Sequence, residues 1–146
     1  MWLDHKGREF MSENNFDFAL AIGGEAGQGI ATPGDTLARI MVRRGLNVQT
    51  YNAFQSIIRG GHIFLTIRVA DKEIYSHGDK LDMLLALNQD TMNRHLRLLG
   101  PGAAALYNSD QITPGEAAAG VQLCPIPVNE LTGSTRAGLN QNTVAL

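Results

Sequence analysis

Gly23-Gly24-Glu25-Ala26-Gly27-Gln28-Gly29-Ile30 is the stretch that decides how the rest of this sequence is interpreted. It follows an apolar run at residues 16–22, which is typical of a buried strand, and precedes a helical pattern that ends near Arg44, where Gly45 suits the position just after a helix. Glycines allow a tight turn at positive φ and let a ligand approach the backbone amides closely. Amides at a helix N-terminus attract anions. The order of strand, glycine-rich turn and helix therefore predicts a phosphate-binding corner.

The glycine spacing leaves a second interpretation open. It matches neither the dinucleotide-binding pattern G-x-G-x-x-G nor a Walker loop, because no lysine follows the last glycine. A tight strand-to-helix turn without any ligand would use the same residues. The helix also has two possible starts: it begins at Gln28, or Thr32 is its N-cap with Pro33 at the first helical position and Asp35 three residues on.

Composition excludes several classes of protein. The chain has 146 residues, 44% of them hydrophobic and 18% charged, which fits one globular domain. A net charge of -2 argues against a nucleic-acid partner. No apolar run approaches the roughly 20 residues of a membrane helix, and the N-terminus has no apolar core typical of a secretory signal. The single cysteine, Cys124, excludes an internal disulfide or an iron–sulfur site built from this chain alone, and it suits the cytoplasm.

Alternating strand and helix patterns predict an α/β fold. We expect a three-layer α/β/α open sheet, mostly parallel, with an antiparallel hairpin region over residues 62–75. Residues 1–15 are predicted to form an N-terminal extension and residues 16–146 one domain, truncated at its C-terminus because the chain stops within an apolar, helix-like run. After the first strand and helix, the pattern predicts strands at 46–51 (parallel to the first), 63–69, 74–75, 82–87 (where a helix also fits), 103–107 and 121–128, and a helix at 89–99 closed by residues 100–102. The strand at 121–128 is expected at an edge of the sheet, because its two prolines cannot donate to a ladder.

A second glycine-rich segment, Arg59-Gly60-Gly61, precedes a strong β run. A guanidinium can hold a carboxylate or a phosphate through two hydrogen bonds, and the glycines would not block that approach. A solvated arginine at a bend explains the same residues. If both glycine-rich segments lie at strand ends on one edge of the sheet, they form a single anion-binding crevice.

The sequence contains no self-sufficient catalytic group. None of the four histidines has metal-ligand spacing to a cysteine or to another histidine, and each is interpreted as structural. Cys124 is interpreted as a small buried apolar residue. No G-x-S-x-G elbow surrounds Ser56. We therefore predict no catalytic and no metal-binding residues here, and expect the chain to supply binding surface or framework. The four histidines are His5, His62, His77 and His95.

With these motifs in place, the sequence from about residue 16 to its end resembles the gamma domain of 2-oxoacid:ferredoxin (acceptor) oxidoreductases. The matching pieces are residues 23–30, Tyr51-Asn52-Ala53-Phe54-Gln55-Ser56-Ile57-Ile58-Arg59-Gly60-Gly61-His62, residues 67–69, Tyr75-Ser76-His77-Gly78-Asp79 and residues 82–88. The segment from Tyr51 to His62 is most similar to the form in which this domain opens a fused gamma–alpha subunit.

The resemblance implies a role within a larger enzyme. Such a complex oxidatively decarboxylates a 2-oxoacid, joins the acyl group to coenzyme A and passes electrons to ferredoxin. Thiamine diphosphate and iron–sulfur clusters would lie in partner domains or subunits, and the partners would be an alpha (thiamine-type) domain, a beta subunit and ferredoxin. The gamma domain would be structural and contribute to coenzyme A binding. Carried onto this sequence, that role falls on Gly24, Gly27, Gln28, Gly29, Arg59, Gly60 and Gly61.

Two other functions use the same sequence features. One is a stand-alone nucleotide-binding or regulatory module without redox chemistry. The other is a framework domain in which the glycine corners are structural only. The latter predicts that Arg59→Ala leaves the activity of an assembled complex intact.

Overall fold

A computed structural model of the protein describes residues 15–54 and 61–132. Within these ranges six strands form one sheet in the order β2-β3-β1-β4-β5-β6. A short 3-10 turn over Leu96–Leu98 continues the second helix. The elements are β1 Asp17–Glu25, α1 Ala31–Arg43, β2 Asn47–Phe54, β3 His62–Ala70, β4 Leu81–Ala86, α2 Gln89–His95, β5 Leu99–Asn108, β6 Gln122–Ile126 and α3 Val128–Thr132.

The sheet is mixed, as the sequence predicts. β1 pairs with β4, β4 with β5 and β5 with β6 in parallel, whereas β3 is antiparallel to both β1 and β2. β1 and β2 therefore run in the same direction, as predicted, but β3 lies between them. The predicted antiparallel region is confirmed for β3.

Helices cover both faces of the sheet, which confirms the three layers. α1 packs on an aliphatic cluster that includes Ile22, Leu65 and Ile67, all almost fully buried. A Cβ atom at Gly34 would lie 1.9 Å from Leu65 Cδ2, so this glycine lets α1 approach the sheet closely. α2 packs on the opposite face, where Met92 is completely buried in a second cluster.

The end of α1 follows the prediction made from Gly45. Gly45 has φ 85°, and its N–H donates to the carbonyl of Val42 at 2.9 Å. The N–H of Leu46 donates to the carbonyl of Met41 at 3.2 Å. This pair of bonds is the Schellman motif, which satisfies carbonyls at the end of a helix.

The start of α1 differs from both predicted starts. The helix begins at Ala31 with Ile30 as its N-cap, so Thr32 lies inside the first turn and does not cap it. The first intrahelical bond runs from the N–H of Gly34 to the carbonyl of Ile30, at 3.4 Å. The capping pattern at Thr32 was wrong because the glycine loop, and not a side chain, sets where the helix can begin.

Three further predictions need correction. Residues 74–75 are not a strand: Ile74 is buried, but its carbonyl accepts the side-chain amide of Gln49 at 3.2 Å and not a strand partner. Residues 100–102 lie inside β5, because the 3-10 turn already ends the helical segment. Cys124 in β6 is only partly buried, since β6 is an edge strand. The edge position itself confirms the prediction from the two prolines of this strand.

The predicted N-terminal extension, apart from Asn15, lies outside the described residues, and so do residues 133–146. Within the described ranges, none of the helices has the length and apolar character that a membrane span requires.

Candidate functional site

Two neighbouring parallel strands, β1 and β4, end at the same edge of the sheet, and the chain leaves them toward opposite faces. α1 follows β1 onto one face, whereas α2 follows β4 onto the other. The N–H of Leu87 donates to the carbonyl of Gly23 at 2.9 Å, so the two connections start side by side. Open α/β sheets bind ligands in the crevice at such a divergence. This edge is therefore the candidate site.

The connection after β1 is a loop that folds back on itself. The side-chain Oε1 of Gln28 accepts the N–H of Glu25 at 2.7 Å, and the N–H of Gln28 donates to the carbonyl of Glu25 at 3.1 Å. A Cβ atom at Gly24 would lie 2.3 Å from that Oε1, so glycine makes room for the Gln28 side chain. Gly27 and Gly29 have φ values of 96° and 72°, in the region that favours glycine. The three glycines thus give the loop its shape, and Gln28 fastens it.

The second glycine-rich segment lies beside this loop. The carbonyl of Gly61 accepts the N–H of Ala26 at 3.0 Å, and Glu25 of β1 is paired with His62 of β3. The structure thus brings five of the seven predicted residues to one edge, as expected if the two segments share a crevice. Arg59 and Gly60 lie outside the described residues. The five are Gly24, Gly27, Gln28, Gly29 and Gly61.

The first turn of α1 has no side-chain cap and no acidic residue. Pro33 has no N–H to satisfy, which leaves the N–H groups of Ala31 and Thr32 at the open end of the helix. Open N–H groups and the partial positive charge of a helix start together favour an anion. The chemistry of this corner is therefore electrostatic attraction and hydrogen bonding, and no nucleophile or base of the described loop takes part.

The start of α2 is closed by its own side chains. Asn88 Oδ1 accepts both the N–H of Thr91 at 2.9 Å and the Thr91 hydroxyl at 2.7 Å. Asp90 already places a carboxylate in the first turn. An anionic ligand would compete with these groups, so α1 is the helix suited to receive one.

A histidine pair lies close to the glycine loop on the α2 face. The Nε2 atoms of His62 and His95 are 2.8 Å apart, so one imidazole donates its N–H and the other accepts. The ring of His95 stacks on Phe64 with centroids 3.7 Å apart. Asp90 Oδ2 lies 3.5 Å from His62 Nδ1, and Asp90 also accepts the Nε–H of Arg94 at 2.7 Å. These contacts join the start of β3 to α2.

Burial sets the protonation of this pair. It lowers the pKa of His95 from 6.5 to about 4, and the neighbouring His62 and Arg94 act in the same direction. Burial also lowers the pKa of His62, although Asp90 opposes the change. Both imidazoles are therefore neutral at pH 7, and the hydrogen bond between the two Nε2 atoms requires that at least the accepting ring be neutral. Residue spacing contains no signal for this pair, because its members are far apart in the chain and share no motif.

No cluster of three or more candidate metal ligands is present in residues 15–54 and 61–132. The described site is thus built from backbone amides, glycines and one glutamine, with a neutral histidine pair next to it. That set of groups fits the binding of a phosphate-bearing ligand and supplies no catalytic group for redox chemistry.

The sequence model of the family described as pyruvate ferredoxin/flavodoxin oxidoreductase matches residues 19–146. The chain belongs to this family. The match covers almost all of the predicted domain and confirms the family resemblance that the glycine motifs indicated.

Known structures agree in both fold and family. The chain is similar to a 2-oxoglutarate:ferredoxin oxidoreductase from Magnetococcus marinus, described with 2-oxoglutarate, coenzyme A and succinyl-CoA bound. The TM-score is 0.81 at 30% identity, over 92% of this chain and 24% of that one. It shares its fold with the gamma subunit of a keto/oxoacid ferredoxin oxidoreductase from Geobacter sulfurreducens, with a TM-score of 0.65 at 21% identity, over 86% of this chain and 70% of that one.

Sequence relatives are also oxidoreductase subunits. Indolepyruvate oxidoreductase subunit IorB of Archaeoglobus fulgidus is 28% identical over 119 residues, which are 80% of this chain and 58% of the relative. Across the curated relatives that it matches, this chain spans between 12% and 58% of their length. These relatives give no support to the alternative of a stand-alone nucleotide-binding module.

Proposed function

We propose that this chain is the gamma-domain component of a 2-oxoacid:ferredoxin (acceptor) oxidoreductase. The complete complex would convert a 2-oxoacid and coenzyme A into acyl-CoA and CO2, and the two electrons released would pass to ferredoxin. Thiamine diphosphate and iron–sulfur clusters, held by an alpha (thiamine-type) domain and a beta subunit, would supply the decarboxylation and the electron transfer. The chain's single cysteine agrees with clusters held elsewhere.

Within that complex the chain would serve as framework and bind phosphate groups of coenzyme A at the glycine corner, which comprises the loop of residues 23–30 and the start of α1. The observation that carries this proposal is the open start of α1 between two glycine-rich segments, at the edge where the chain diverges. Gly24, Gly27, Gln28 and Gly29 would shape the corner, and Gly61 would close its side. Arg59 and Gly60 would complete the site, with the guanidinium paired to a phosphate.

The first test is to tag the chain, purify it from its native host and identify its companions by mass spectrometry. We expect subunits that carry thiamine diphosphate and iron–sulfur clusters, together with dye reduction that requires both a 2-oxoacid and coenzyme A. A purified assembly without those cofactors and without that activity would contradict the proposed complex.

The coenzyme A site is tested on the same assembly by titration with coenzyme A. Arg59→Ala should weaken binding by about tenfold to 100-fold, the range expected when a hydrogen bond to a charged group is lost. Arg59→Lys should recover only part of that loss, because an ammonium cannot form the paired hydrogen bonds. Arg39→Ala, at an exposed position on α1, is the control and should leave affinity unchanged. Equal affinity for Arg59→Ala and wild type would show that the corners are framework only.

A further inference from the structure

The start of β3 is held from two sides at the edge that carries the glycine corner. On one side the carbonyl of Gly61 accepts the N–H of Ala26 at 3.0 Å, which ties the segment before β3 to the loop after β1. On the other side the next residue, His62, forms a hydrogen bond with His95 through their Nε2 atoms, 2.8 Å apart. Two consecutive residues, Gly61 and His62, thus join the glycine loop to the end of α2.

Contacts that do not involve the histidine pair hold α2 on the sheet. Thr91 and Met92 are completely buried beneath the helix. The N–H of Leu87, two residues before the helix, donates to the carbonyl of Gly23 at 2.9 Å. Because these contacts already place α2, the bond between the imidazoles restrains the start of β3 and not the helix.

Aromatic packing holds both imidazole rings in place for this bond. The ring of His95 stacks on Phe64 and on His62, with centroids 3.7 and 5.0 Å apart. Phe64 follows His62 by two residues, so β3 presents both rings on the same face of the sheet. His62 is only 9% exposed, and water therefore competes little for its ring nitrogens. The two rings are thus fixed before any ligand arrives.

Protons control whether this bond can exist. Both rings are neutral at pH 7, because burial lowers both pKa values, that of His95 to about 4. One added proton would keep the bond, since a protonated ring can donate to a neutral one. A second proton would place two N–H groups against each other and break it. Within the described residues, the charged groups that face the pair are Asp90 and Arg94 of α2, Arg97 of the 3-10 turn and Glu25 of β1, which is paired with His62.

We propose that His62 and His95 are positioning residues of the glycine corner. Their hydrogen bond holds the start of β3 against α2 and thereby keeps the Gly61 carbonyl on the N–H of Ala26. That restraint fixes the loop beside the open start of α1, so a ligand does not have to order the loop when it binds. The effect on coenzyme A rests on the proposed function, whereas the restraint on Ala26 is a property of the chain without ligand.

The test measures amide hydrogen exchange at Ala26 in the complete oxidoreductase that contains this chain, without ligand. His62→Leu should speed this exchange by about threefold to tenfold, the effect of losing one hydrogen bond. His62→Gln, whose uncharged side-chain amide can replace Nε2, should stay within about twofold of wild type. His77→Leu is the matched control, because the ring of His77 stacks on Tyr51 of β2. Exchange at Leu87, on the same edge, should remain unchanged in every variant.

Two further measurements separate a hydrogen-bonded pair from two independent structural residues. His62→Leu combined with His95→Phe should speed exchange at Ala26 no more than His62→Leu alone, because both substitutions remove the same bond. The protection of the Ala26 amide in wild type should also fall as the pH is lowered from 7 toward 4, whereas in His95→Phe it should be low throughout. Coenzyme A should bind His62→Leu about threefold or more weakly than wild type.

Different outcomes overturn the positioning role and the proposed function separately. If Ala26 exchanges as slowly in His62→Leu as in wild type, or if exchange rises equally at Ala26 and Leu87, the positioning role is wrong and the proposed function stands. If wild type does not bind coenzyme A, the proposed function is wrong, and faster exchange at Ala26 alone would still support the positioning role. Additive effects of the two substitutions would assign the histidines to separate contacts and overturn the pair.

Discussion

The two helices that start at the shared edge of the sheet differ in how their first turns are satisfied. α2 is closed by Asn88, which holds the backbone and the hydroxyl of Thr91, and it already carries an acidic residue. α1 has neither a capping side chain nor an acid, and it follows a loop whose shape depends on glycine. Only one of the two corners is therefore suited to an anion. Position at a strand end therefore favours an anion only where the start of the following helix is left open.

Substitutions of the neighbouring glycines Gly23 and Gly24, at the end of β1, should have the largest effects on stability and on ligand affinity. A Cβ atom at Gly23 would lie 2.4 Å from Cγ2 of the fully buried Thr91, so Gly23→Ala overpacks the α2 corner and should cost about 1–3 kcal/mol of unfolding free energy. At Gly24 the nearest atom is at the end of the Gln28 side chain, which can move, and the next are Ile30 Cδ1 at 3.0 Å and Leu87 Cβ at 3.2 Å. Gly24→Ala should therefore lower the free energy of unfolding by less than Gly23→Ala, but it should displace Gln28 and open the loop that precedes α1.

Urea unfolding and coenzyme A titration separate these two effects. Gly24→Ala should weaken coenzyme A binding by about tenfold, equivalent to about 1.4 kcal/mol, whereas folded Gly23→Ala should stay within about twofold of wild type. The reverse order of affinities would place the ligand at the α2 corner.

The positive φ of Gly27, in the loop that precedes α1, predicts the next largest effect on stability. Gly27 has φ 96° and would meet no atom within 4 Å if it carried a Cβ. Gly27→Ala should therefore cost about 1–2 kcal/mol of stability, through backbone strain alone. Gly100→Ala is the control, since Gly100 also has open space but no positive φ. Equal unfolding midpoints for the two variants in urea would show that the loop does not depend on glycine conformation.

Substitutions in the first turns of the two helices test directly whether α2 has a capping side chain and α1 has none. Asn88→Ala should cost about 1 kcal/mol, because it removes the N-cap of α2. Thr32→Ala should change stability by less than about 0.5 kcal/mol, because Thr32 caps nothing and lies within the first turn of α1. Differential scanning calorimetry of both variants would measure these two changes in stability. A larger loss for Thr32→Ala would mean that α1 is closed by its own side chain.

Protonation of the histidine pair should leave stability unchanged at neutral pH and lower it in acid. An unfolded chain protonates His95 near its usual pKa of 6.5, whereas the folded chain does so only at about 4. Between those values the unfolded state binds more protons, so this contribution to stability is full above pH 6.5 and is lost as the pH falls toward 4. His95→Phe, which keeps a ring against Phe64, should be less stable at pH 7 but show a shallower decline. Urea midpoints at several pH values would measure both slopes, and parallel slopes would contradict a role for His95.

Much of the fold could be predicted because the deciding signals are local. Apolar runs placed β1, β3 and β4, and Gly45 correctly marked the end of α1. Local patterns failed at two positions. Thr32 looked like an N-cap, but the glycine loop starts the helix earlier. Ile74 looked like a strand residue, but the side chain of Gln49 takes the carbonyl that a strand would need.

The candidate site was likewise predicted only in part from the sequence. Its glycines were visible in the sequence because positive φ is a property of single residues. The proximity of Gly61 to the loop was only a conditional expectation, since it depends on β3 pairing antiparallel to β1. The His62–His95 pair has no signature in residue spacing.

By itself, the sequence determined the α/β class and the presence of two glycine-rich segments, because backbone conformation and hydrophobic periodicity are encoded within short stretches of chain. The resemblance of its motifs indicated the family. Only the tertiary structure decided which helix start is open and which residues share the edge with it. Those properties depend on strand order and on which face each helix covers. Both are set by the packing of segments far apart in the chain, which no local pattern specifies.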